Sequence, residues 1–263
     1  MTTLDTPQPA SHRLQCSEIW GGFSDRETAL ESNAMKAALY SSACVGGKGG
    51  DIYYLSVCGA DKLTRIVVAD VTGHGDVVSG TSSMLYDAMV EFLNDSEGAS
   101  LLERMNKAAV DIGFEAITTV AVIALYTAYD QLYFSYAGHH PALISRAEHR
   151  GAGRTDWQEA PLDPETETGS NLPLAIDPDA TYDQQAQPIG VGDRILLYTD
   201  GVIEAPGADG QQFGVDGLLR VLSAVPADAT LEQTKDAVIA AVKAHVGGEL
   251  EHDDVTVVVI EAV

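Results

Sequence analysis

The sequence predicts an α+β fold in which antiparallel sheets pack against one another and helices lie outside. Three observations carry this expectation. Runs rich in Val, Ile, Tyr and Thr come in pairs, stretches of helical periodicity also come in pairs, and a regular strand–helix alternation is missing. Such alternation would mark a parallel, doubly wound sheet.

Taken in chain order, a polar segment with two prolines opens the sequence. Residues 1–13 read as a mobile tail and 14–263 as one domain. Strands are expected at 51–58 (DIYYLSVC), 63–70 (LTRIVVAD), 117–126 (ITTVAVIALY) and 131–138 (QLYFSYAG). Tyr129-Asp130-Gln131 sits between two of them as a hairpin turn. A helix is expected at 77–94, with Met84, Leu85, Ala88, Met89 and Phe92 on one face, read either as a core helix or as a switch element moved by a partner. A second follows to Gly113, with Ser100 as its N-cap. Residues 145–172 are polar, acidic and aperiodic, which suggests a surface excursion from the AGHHPALI strand. Further strands are expected at 193–201 (DRILLYTDG) and 254–262 (DVTVVVIEA). Between them lie VDGLLRVLSAV and a helix from Thr230, its cap, to the Gly247-Gly248 stop.

The charge excludes whole classes of partner. Thirty-nine acidic residues against 15 basic give a net charge of −24, with no basic patch for nucleic acid or an anionic membrane. No apolar run reaches the roughly 18 residues of a membrane span, and MTTLDTPQPASHR lacks the basic and apolar blocks of a signal peptide. Cys16, Cys44 and Cys58 have no C-x-x-C spacing, so reduced thiols in a cytoplasm are expected.

Carboxylates at strand boundaries are the chemical signal. Asp51 follows a glycine loop, Gly46-Gly47-Lys48-Gly49-Gly50; Asp70 precedes Gly73-His74-Gly75; Asp200 precedes Gly201; Asp253-Asp254 opens the last strand. Glycine admits close approach of carbonyls, and an all-oxygen set favours magnesium, manganese or calcium over zinc. Each Asp alone also suits a turn cap. Pattern by itself leaves both readings open. The glycine loop lacks P-loop spacing, and no D-x-D-x-D-G calcium loop occurs.

The ordered set GGD (49–51), DVTGHG (70–75), AGHHPALI (137–144), LLYTDGVIEA (196–205) and DDVTVVV (253–259) resembles the metal-dependent protein phosphatases. This is the PPM, or type 2C, family, in its SpoIIE/RsbU-like bacterial branch, and FGVDGLL (213–219) is similar to the segment after its TDG motif. The resemblance implies a four-layer α-β-β-α sandwich, two antiparallel sheets flanked by helix pairs, with two manganese or magnesium ions at one edge. It implies Asp70 as bridging ligand, helped by the backbone carbonyl of Val71, with Asp51, Asp200 and Asp253 completing the shells. Tyr54 stands where many relatives have an acid, and the GGKGG loop is longer than usual. No sensor domain precedes the matched region, so control by a fused input module is not expected.

The implied reaction is hydrolysis of phosphoserine or phosphothreonine on a protein, by a water that two cations acidify while offsetting the phosphate charge. No Ser, Cys or His nucleophile is required. His74 and His139 are candidates to protonate the leaving oxygen, and Lys48 to touch the phosphate, although each also suits a structural or solvated role. The expected partner is a phosphoprotein, by resemblance an anti-sigma-factor antagonist, with a homodimer left open. The competing classes are a non-catalytic partner-switch module and a calcium-binding structural protein.

Overall fold

The computed structural model describes residues 11–45, 47–58, 62–73, 78–92, 98–126, 130–151, 156–160 and 171–263. Among these residues, one sheet has seven strands: β1 (His12–Arg13), β3 (Arg26–Glu31), β4 (Met35–Ser42), β13 (Val255–Ala262), β12 (Arg194–Tyr198), β9 (Leu143–Ser145) and β10 (Trp157–Glu159), in that spatial order. The other has six: β11 (Gln185–Pro188), β8 (Gln131–Ala137), β7 (Thr118–Tyr126), β6 (Leu63–Val71), β5 (Lys48–Cys58) and β2 (Ile19–Ser24). Among the described residues, the named strands all pair antiparallel except β1 with β3.

Helices α1 (Ser79–Glu91) and α2 (Gly98–Ile112) cover the six-stranded sheet, packing Leu85, Met89, Leu101 and Met105 on Ile52, Tyr54, Val67 and Ala69. Helices α5 (Gly214–Ala224) and α6 (Leu231–Val246) cover the other sheet, packing Leu218, Leu222, Val238 and Val242 on Leu196, Tyr198, Val257 and Val259. Between the sheets lie the alternate residues of the same strands: Leu55, Ile66, Ile123, Ile195, Val258 and Ile260. This is the expected α-β-β-α sandwich. Because side chains alternate along a strand and both faces are covered, the central strands are apolar throughout.

Local signals behave as their chemistry requires at α6. Thr230 accepts from the Gln233 backbone N–H while Gln233 bonds back, a capping box, and Gly247 ends the helix in the left-handed conformation. Two expectations need correction. α2 begins at Gly98, whose N–H donates to Gln184 at 2.5 Å, so Ser100 lies inside the helix and is not its cap. Met84 is exposed, and the buried positions of α1 are Ser82, Leu85 and Met89. His12–Arg13, at the end of the expected tail, pair with β3. Within 145–172, the described residues form α3 (Ala147–Gly151) and β10, an edge strand on β9, so part of that segment extends the sheet.

Candidate metal centre

Register and alternation bring the predicted carboxylates to one edge of the sandwich. Asp51 on β5 is the direct cross-strand partner of Asp70 on β6, and Asp70 is opposite Thr119 on β7. Counting by twos along β5 and β6, both aspartates share the face that carries Leu55 and Ile66, the face turned toward the other sheet. From that other sheet, β12 ends at Tyr198 and leads through Thr199 to Asp200, the first residue of the short helix α4 (Asp200–Ile203). Asp253-Asp254 immediately precedes β13, the strand paired with β12. Two sheets therefore each contribute two of the four predicted aspartates.

The charges are mutually unfavourable without a cation. Asp70 is held well above the ordinary carboxylate range, first by burial and then by the charges of Asp51, Asp200, Asp253 and Asp254. Burial raises Asp51 in the same sense, while the hydrogen bond from Thr199 opposes it. Asp51 is 3% exposed, and its Oδ1 is buried without a hydrogen-bond partner, an orphan that a hard cation would satisfy. Gly50 supplies a second sign of fit: a Cβ there would lie 2.7 Å from the Val71 carbonyl oxygen and 2.9 Å from that of Gly73. Glycine thus leaves the predicted carbonyl ligand undisturbed. Among the described residues, no three His, Cys, Asp or Glu side chains are gathered closely enough to enclose one ion. The candidate donors are all oxygen, the chemistry that fits magnesium or manganese.

Asp254 has a different task from its neighbour. It is buried, and its carboxylate accepts from the backbone N–H of Cys44 (2.8 Å) and of Gly50 (2.6 Å), which ties the glycine loop to the start of β13. Asp253 is only half-buried and accepts from the Asp254 N–H at 2.8 Å. Sequence reasoning named Asp254 beside Asp253 without giving it a role, and it missed Thr199. The doubled acid and the Thr of TDG were the available signals.

His139 is a bracket between the two sheets. One ring nitrogen, Nε2, lies 3.1 Å from the Tyr198 carbonyl and must donate to it, so Nδ1 accepts from the Thr119 hydroxyl at 2.9 Å. Burial, then the adjacent His140, depresses its pKa to about 3. As a neutral ring, His139 has both nitrogens engaged, its Nε2–H with the Tyr198 carbonyl and its Nδ1 with the Thr119 hydroxyl. Its folded pKa is below the unfolded value, so its stabilising effect is complete above about pH 6.5 and is lost as pH falls toward 3. Each pH unit in that window costs the fold about 1.4 kcal/mol through this group. His139→Gln should therefore show a shallower loss of stability between pH 6.5 and 5 in urea melts. Parallel curves for the variant and wild type would refute the neutral-bracket assignment.

His74 lies outside the described residues. Lys48 is exposed, with its ammonium 5.8 Å from the centre of the Phe23 ring, a cation–π contact on the β2 side. A cavity of about 600 Å³ between α5 and α6, lined by Val221, Val225, Pro226 and Ala237 among others, carries none of the four aspartates.

This architecture, with an acidic edge between two sheets, is that of the PP2C-type phosphatases. The chain belongs to the SpoIIE family: residues 60–263 match the family described as Stage II sporulation protein E (SpoIIE). Its fold is similar to the SiaA-PP2C domain of Pseudomonas aeruginosa, at 19% identity and TM-score 0.71, covering 86% of this chain and 85% of that one. It is also similar to the RsbU and RsbW domains of Rv1364c from Mycobacterium tuberculosis, at 22% identity and TM-score 0.67, covering 92% of this chain. The match spans only 61% of that longer chain. The catalytic domain of the serine threonine protein phosphatase PstP, solved with 2 manganese ions, matches at 16% identity and TM-score 0.52, covering 88% of this chain and 99% of that one. No described helix is long and apolar enough to cross a membrane.

Proposed function

We propose that the chain is a cytoplasmic, metal-dependent protein phosphatase that removes phosphate from serine or threonine of a signalling phosphoprotein. The observation that carries this is the buried, unpartnered Oδ1 of Asp51 beside Asp70, among carboxylates from both sheets. Asp51, Asp70, Asp200, Asp253 and the Val71 carbonyl would hold two manganese or magnesium ions, with Asp70 shared between them. Held by these residues, such ions would supply positive charge to offset a phosphomonoester dianion and would lower the pKa of a water nucleophile.

The protein's own groups do the positioning. Thr199 and Asp254 hold the carboxylate of Asp51 and the glycine loop, and His139 pins β7 against the end of β12 through Thr119 and the Tyr198 carbonyl. His74, four residues beyond Asp70, is a candidate to protonate the leaving oxygen. No phosphate contact is assigned to Lys48, which lies over Phe23. The substrate class follows from the kinship with RsbU-type domains and is an anti-sigma-factor antagonist or similar protein. The strongly acidic surface leaves nucleic acid out.

The alternative reading is a non-catalytic partner-switch module of the same fold. Hydrolysis of p-nitrophenyl phosphate and of a phosphoserine protein, each with manganese and with EDTA, separates the two. The expected result is phosphate release that needs manganese and stops with EDTA. Release that is absent in manganese, with the chain folded, would leave only the binding module.

A further inference from the structure

Thr199 is placed where a helix cap belongs, yet it does not cap. It is the N-cap residue of α4 and makes no side-chain bond to that helix. Threonine in this position ordinarily turns its hydroxyl back to a first-turn N–H. Here the hydroxyl is completely buried and points across the sandwich, donating to Asp51 Oδ2 at 2.8 Å, 148 residues away in sequence. Its direction is fixed from behind, because the same oxygen accepts from the Thr256 backbone N–H at 2.9 Å. The Thr199 N–H in turn donates to the Thr256 carbonyl at 3.1 Å. With one lone pair engaged, the single hydroxyl proton is committed to the carboxylate.

The consequence falls on Asp51. One carboxylate oxygen is occupied by the hydroxyl and the other, Oδ1, is buried and unpartnered. A carboxylate fixed at one oxygen cannot rotate its free oxygen away. Thr199 also sits one residue before Asp200, and Thr256 three residues after Asp253. One hydroxyl therefore connects the segments that carry three of the four aspartates.

We infer that Thr199 is the positioning residue of the metal centre: it orients the Asp51 carboxylate so that Oδ1 faces the ion, and it holds the Asp200 and Asp253 segments in register with it. The inference rests on the phosphatase reading above, and the experiment separates the two.

Manganese binding is measured by titration calorimetry on wild type, Thr199→Ser and Thr199→Val, with melting temperatures of each in EDTA. Serine keeps the hydroxyl, and valine keeps the shape without it. The expected result is near wild-type affinity for Thr199→Ser and a loss of about 10–100-fold for Thr199→Val, the range typical of groups that orient a ligand. Turnover in Thr199→Val should recover as manganese is raised. Should Thr199→Val fail to fold, Thr199→Cys supplies the weaker donor in similar volume, and the expected order of affinity is Ser above Cys. Affinity unchanged in Thr199→Val or Thr199→Cys, with only a lower melting temperature in EDTA, would overturn the assignment and leave Thr199 a purely structural contact. A folded wild type that takes up no manganese would overturn the metal-centre reading and this inference together.

Discussion

Asp70→Asn is expected to lower manganese-supported turnover by orders of magnitude while raising the melting temperature of the metal-free protein at neutral pH. The two effects share one cause. Asp70 is the most heavily crowded of the carboxylates, raised by burial and by four neighbouring acids. A carboxyl whose folded pKa lies above its unfolded value costs the fold stability once pH exceeds about 4, and the cost grows until the raised value is passed. Removing its charge relieves that cost, so the stability gain should be absent near pH 4 and grow as pH rises above it. The same change takes charge from the ligand assigned to both ions, which removes their shared anchor. Near wild-type turnover at saturating manganese would sink the bridging assignment, and a metal-free variant no more stable than wild type would sink the electrostatic account.

Gly201→Ala should be the most damaging single-methyl change in the centre. A Cβ at Gly201 would lie 2.0 Å from the Asp254 backbone carbonyl, a contact no side-chain movement can relieve. The junction of β12 with α4 would have to move off the start of β13, separating Asp200 from Asp253. His252 reinforces this seam, with Nε2 2.8 Å from the Gly201 carbonyl. Overpacking against backbone costs about 3 kcal/mol, and manganese affinity should fall with it. Denaturant melts and metal titrations of the variant measure both. A variant with wild-type stability and affinity would mean that the seam is softer than its packing indicates.

How far the molecule was legible in its sequence depends on what each element packs against. β5, β6, β7, β12 and β13 are covered on both faces, so they read as unbroken apolar runs and were placed within a few residues. β3 and β4, RETALE and MKAALYSS, carry Ala, Leu, Glu and Lys, residues that favour helices when local propensity decides. Tertiary pairing decides instead: β4 lies in register with β13 over its whole length, and β3 lies on β4. β2 is half-buried throughout and has a Gly pair, so it shows no alternation to read.

The site divides along the same line. The aspartates announce themselves because each is an acid closing or opening an apolar strand beside glycine. The groups that orient them do not. Thr199 reaches Asp51 across 148 residues and Asp254 reaches the Gly50 N–H across 204, contacts that only the folded sheets create. His139 stands out in the sequence because its motif is matched. Its burial and its two occupied nitrogens are properties of the packed interior and leave no local trace.

Equilibrium dialysis of the full chain against manganese tests the central claim most directly, namely that the edge between the two sheets holds divalent cations through these four aspartates. The account predicts two ions per wild-type chain, removed by EDTA, and fewer in Asp51→Asn and in Asp253→Asn. Wild type that takes up none, or aspartate variants that take up as many as wild type, would contradict it.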